Sequence, residues 1–89
     1  MRSTDDELHT RSVLDDVFNE RDRQVSKWTG TFNDDDYTPF DWHEMIADYN
    51  AWARRMMTMN SPDKARRRYI QIAALAVAAV EALDRKEQQ

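Results

Sequence analysis

Three observations predict an all-α fold with a three-helix protomer. Apolar residues recur at helical spacing in three separate segments. The single glycine and the two prolines fall between those segments. No stretch alternates apolar and polar residues as a half-buried strand would. The 89 residues allow one domain, residues 1–89, at the small end of what one apolar core can support. Cysteine is absent, which removes disulfides and thiolate zinc sites, so oligomerisation is the main staple left to a scaffold of this size.

The first helix is expected over about residues 5–28. Thr4 and Glu7 fit a capping box, with Ser12 and Asp15 as a second possible start. Leu14, Val17, Phe18, Val25 and Trp28 then recur on one face, with "NERDRQ" on or beside it. Thr29-Gly30 supplies a stop, since glycine tolerates the left-handed conformation that ends many helices. A loop over 29–38 follows, in the stretch "TGTFNDDDYTPF", whose Phe32, Tyr37 and Phe40 are expected to pin it to the body.

Thr38 caps the second helix, expected over 39–58, with Pro39 in its first turn. Trp42, Met45, Ile46, Tyr49, Trp52, Ala53 and Met56 share one face, while Asp41, Glu44, Asp48 and Arg55 lie opposite. Ser61-Pro62-Asp63 opens the third helix by the same logic. Its expected span of 62–86 is roughly 37 Å long.

That third helix contains "YIQIAALAVAAVEAL", residues 69–83, in which Gln71 and Glu81 are the strongly polar positions. Ala74, Ala78 and Ala82 form a small-residue stripe, Ile72, Leu75, Ala79 and Leu83 another side, and Ile70, Ala73, Val77 and Val80 much of the rest. A helix apolar on every side needs cover on every side, and two neighbouring helices cover about half of it. A homodimer or homotetramer through the third helix is therefore expected.

Charge sets further limits. The net charge of −4 weighs against a general nucleic-acid binder. Residues 1–45 carry 12 acids and 5 bases and residues 46–89 carry 5 acids and 8 bases, a division that suits antiparallel self-packing or a local anion site in the second half. The acidic start "MRSTDDELHT" lacks the apolar core of a secretory signal, and the 69–83 run is short for a membrane span. A cytoplasmic protein without a membrane partner is expected.

Two stretches, "VLDDVFNERDRQVSKW" and "RRRYIQIAALAVAAVEALDR", resemble a group of small phage and prophage proteins, several described as MazG-like after the all-α nucleotide pyrophosphohydrolases. They cover about 36 of the 89 residues, in the group's order. The resemblance implies helical dimers or tetramers. It also implies hydrolysis of nucleoside triphosphates with magnesium held by E-E-x-x-E on one helix and E-x-x-D on the next. Such clusters suit an ion that demands hard oxygen ligands, bridges phosphates and activates water.

This chain departs from that pattern at the metal. After "DWHEMIA" it reads "DYNAWARR": Asp48 can stand for one carboxylate, but Tyr49 and Trp52 occupy the next two ligand positions. Arg68 and Gln71 fall where E-x-x-D belongs, so the site would repel magnesium. No resident cofactor and no catalysis is expected. The alternative is a residual magnesium-dependent hydrolase using Asp41, Glu44 and Asp48. Glu81-x-x-Asp84 keeps the pair spacing far along the third helix, and the run Asp34-Asp35-Asp36 lacks the spacing of a calcium loop.

What remains suits a ligand site without a metal. Arg54 and Arg55 end the second helix, and Arg67 and Arg68 begin the third, close enough in sequence to share one end of a bundle. Guanidinium groups present a planar fork to phosphate oxygens, and Trp42, Tyr49 and Trp52 offer planes for a base. Arg21, Gln24 and Lys27, on one face of the first helix, could join from a neighbouring subunit, or Glu20, Arg21 and Arg23 could form an ion-pair network against the basic end of the third helix. The plainer reading makes the aromatics core and the arginines partners of the acidic first half.

The function expected is thus a non-enzymatic phage accessory protein, an oligomer that sequesters a nucleotide-derived ligand against host defence. A protein-binding inhibitor of a host or defence complex stands as a third class.

Overall fold

The computed structural model describes residues 2–28 and 39–87. It is all-α: α1 spans Thr4–Trp28, α2 Pro39–Thr58 and α3 Pro62–Glu87, with no strand among the described residues. The expected loop over 29–38, with Phe32, Tyr37, the acids Asp34 to Asp36 and the cap Thr38, lies outside them, as do the side chains of Trp28 and Phe40. Among the described residues no helix is long and apolar enough to cross a membrane.

The start of α1 differs from the sequence expectation by one residue. The Ser3 hydroxyl accepts the Asp6 N–H at 3.1 Å, and the Ser3 carbonyl accepts the Glu7 N–H at 3.1 Å. Ser3 is therefore the cap and Thr4 the first helical residue. Asp5, Asp6 and Glu7 place negative charge in the first turn, against the positive end of the helix dipole. Ser12 lies within the helix and starts nothing.

A tight turn joins α2 to α3. The Ser61 N–H reaches the Met56 carbonyl at 2.8 Å and the Asn60 N–H reaches that of Met57 at 3.0 Å, while Asn60 has φ of 58°. These crossed bonds around a left-handed residue are a Schellman motif, which satisfies the last carbonyls of α2. Ser61 then accepts the Ala65 N–H at 3.0 Å as the first bond of α3, with Pro62 where no donor is needed.

The turn folds α2 back along α3, and their contact makes the core. Trp42, Leu75 and Ala78 are its buried centre, with Met45, Ile46, Tyr49 and Ala79 packed around it. Trp42 is thus core and offers no plane to a ligand. Ala53, Ala65, Ala74 and Ala82 are buried as well. Their short side chains let the helix backbones approach closely.

α1 lies on another flank of α3 and makes no close backbone approach to α2 among the described residues. Its expected apolar face does not turn inward. Val17 is buried, but Leu14, Val25 and Phe18 are exposed, Phe18 at 66%. The reason is angular: at about 100° per residue, Leu14, Phe18 and Val25 sit about 60–100° around the helix from Val17. Among the described side chains, the other residue that α1 buries is polar, Gln24.

The third helix is covered on one side only. Gln71, Ala74, Leu75, Ala78 and Ala82 are buried, whereas Tyr69, Ala76, Val77, Val80 and Leu83 are exposed. Among the described residues, α1 and α2 thus leave part of α3 uncovered.

Candidate functional site

The side chains that meet between the three helices belong mainly to the middle of α1, the second half of α2 and the first turns of α3. On α2, Tyr49 and Trp52 stand three residues apart and therefore on one flank. Their ring centroids are 5.5 Å apart and their planes inclined by 59°. The Arg68 guanidinium lies 4.5 Å from the centroid of Trp52, a cation–π contact. Arg68 Nη1 donates to Gln71 Oε1 at 2.9 Å, which fixes the guanidinium from the other end. Trp52 stays 43% exposed, so the contact is at an accessible surface.

On α1, Glu20 accepts two bonds from Arg23, at 2.8 Å from Nε and 2.7 Å from Nη2, and a third from Gln24 Nε2 at 3.0 Å. The hydrogen bonds from Arg23 chiefly hold the Glu20 carboxyl below its ordinary pKa. Partial burial opposes them, and the charge of Arg67 adds to the lowering. The same pair raises the pKa of Arg23, chiefly through the Glu20 hydrogen bonds, with a smaller contribution from Tyr49. Two guanidinium groups, of Arg23 and Arg67, thus act on the Glu20 carboxylate, while that of Arg68 is held by Trp52 and Gln71.

Gln24 links this group to α3. Its Nε2 also reaches the Gln71 carbonyl, at 3.4 Å, and the residue is only 1% exposed. Its Oε1 accepts no hydrogen bond. Further along, Arg21 Nε pairs with Glu81 at 3.0 Å, and Arg66 with Asp16 at 2.8 Å. The residues of the two stretches singled out in the sequence therefore meet one another: Arg21 with Glu81, and Gln24 with Gln71. Much of their patterning holds α1 against α3.

The eight residues expected at a ligand site fall into separate places. Tyr49, Trp52 and Arg68 are in contact, and Arg67 is near enough to act on Glu20. Arg54 and Arg55 line a shallow groove of about 460 Å³ on α2 with Ala47, Asn50, Ala51 and Thr58, and neither the aromatics nor the α3 arginines reach it. Arg21 is engaged by Glu81, and Lys27 is exposed near the end of α1.

The alternative magnesium set does not assemble as a unit: Glu44 and Asp48 line a groove with His43 and Ala47, without Asp41. Among the described residues no three His, Asp or Glu side chains are grouped to hold a metal ion. Comparison with known proteins finds no matching family model, no similar curated protein and no solved structure that matches the chain.

Sequence reasoning missed that the Gln24 amide is buried against the Gln71 carbonyl. One signal was present: Gln71 is the polar break in an apolar run, and a polar residue on a buried face needs partners.

Proposed function

We propose that this chain is a non-enzymatic accessory protein of the small phage type, MazG-like in scaffold, which self-associates through α3 and sequesters a nucleotide-derived ligand. The observation that carries the ligand reading is the Arg68 guanidinium held over the ring of the partly exposed Trp52, with Tyr49 beside that ring. A base can stack on the aromatic flank while the guanidinium groups bind phosphate oxygens in bidentate fashion. Arg68 is held by Trp52 and by Gln71, so less side-chain freedom is lost when a ligand arrives. Glu20 does not oppose an anion strongly, because Arg23 and Gln24 already occupy its oxygens.

Binding without turnover is what a cytoplasmic sponge against nucleotide signalling requires, and arginine rather than carboxylate at position 68 fits binding without a metal. The test is thermal unfolding with mononucleotides and cyclic dinucleotides, in the wild type and in Arg68→Ala. A ligand at 100 times its dissociation constant stabilises by about 2.7 kcal/mol, and Arg68→Ala should remove that shift while leaving the oligomer intact. Magnesium-dependent release of pyrophosphate from a nucleoside triphosphate would replace this reading with a hydrolase. No shift with any nucleotide, together with a defined complex with a host protein, would replace it with an inhibitor.

A further inference from the structure

The uncovered side of α3 has a spacing of its own. Tyr69, Ala73, Ala76, Val80 and Leu83 follow intervals of four, three, four and three, the heptad pattern of a two-helix seam. Tyr69, Ala76, Val80 and Leu83 are exposed and Ala73 is half-buried. The chain's own contacts use a different stripe, Ala74, Ala78 and Ala82 with Leu75. A second apolar strip adjoins the seam: Leu14, Phe18 and Val25 of α1 line, with Val77 of α3, a groove of about 360 Å³. The seam therefore widens into a face made by two helices, larger than scattered surface residues produce.

We infer that this face takes a second copy of the chain, with the two α3 helices antiparallel about a two-fold axis near Ala73 and Ala76. The occupant and its direction follow from the charges. The first turns of α3 carry Lys64, Arg66, Arg67 and Arg68 against Asp63, while its last turns carry Glu81, Asp84 and Glu87 against Arg85 and Lys86, so its two ends differ in sign. Arg66 and Asp84 both border the seam. A parallel pair would set Arg66 against Arg66 and Asp84 against Asp84. An antiparallel pair sets Arg66, which also holds Asp16 of its own chain, near Asp84 of the partner subunit at both ends, and opposes the helix dipoles.

The same register suits the shapes. Ala73 meets Ala76 of the partner subunit at the centre, where the backbones come closest, and Tyr69 meets Val80 of the partner subunit on either side. This deepens the self-association proposed above and rests on that part of the reading. It is independent of the ligand.

Light scattering on the eluting protein, at micromolar concentration and without nucleotide, should give the mass of a dimer or an even multiple. Ala76→Glu should give a monomer with unchanged helical circular dichroism, because Ala76 is exposed in the single chain. Direction is read by cysteines, of which the chain has none. Tyr69→Cys with Val80→Cys in one chain should form interchain disulfides under oxidation. Leu83→Cys alone should not, because its nearest counterpart would lie about 25 Å away along the axis.

A monomeric wild type, an oligomer that survives Ala76→Glu, or cross-linking by Leu83→Cys in place of the pair would each overturn the inference. Since no nucleotide is present, none of these results depends on the ligand site.

Discussion

Gln24 is enclosed between α1 and α3 with its amide nitrogen engaged and its amide oxygen without a donor. Removing the side chain takes away a bond to Glu20 and one to α3, and leaves a small void. Gln24→Ala should therefore lower unfolding stability by about 1–3 kcal/mol, measured by urea titration. Glu20 gives a pH signature. Its folded pKa lies below the unfolded one, so its contribution is present above the unfolded carboxyl value and is lost as pH falls through the folded value. Stability should drop on acidification through that range, and Glu20→Gln should make the drop shallower. At this scale the aromatic flank was legible, because Tyr49 and Trp52 stand three apart on a helix. The Arg68 contact was legible as an expected neighbourhood only. The distance of Arg54 and Arg55 from it was not, because which flank of α2 meets α3 depends on packing rather than on order in the chain.

The three helices were legible because their stops and starts are written in side chains with one physical use. Proline opens α2 and α3 where a missing N–H costs nothing, and Ser61 precedes the second of these. Asn60 shows the same logic at a finer grain, since its positive φ is what closes the Schellman turn. Asn60→Gly should keep or slightly raise stability, whereas Asn60→Val should lower it by about 1–2 kcal/mol. A thermal melt of the two variants separates these outcomes. The cap of α1 was placed one residue late because Ser3 and Thr4 are chemically equivalent candidates and only the bond to Asp6 distinguishes them. What covers the face of α1 was not legible, for a deeper reason. A helical repeat of apolar residues shows that a face exists, and not whether this chain or another covers it.

At the scale of the whole molecule α3 is the shared wall: α2 packs along one flank of it and α1 along another, with α1 and α2 apart. Nearly all of α1 from Thr4 to Ser12 is exposed, and its hold on α3 relies on Val17, Gln24 and ion pairs at Arg21 and Asp16. If copies associate through α1 and α3, the melting temperature should rise with protein concentration, and a scan over a hundredfold range would show it. The separation of α1 from α2 also grades the molecule's local stability. α1 can detach without disturbing a single contact between the other two helices, so its amides should exchange with deuterium sooner than those of the α2–α3 hairpin. Dilution would then speed exchange in α1 first, and the amino-terminal helix would report assembly from its own backbone protons.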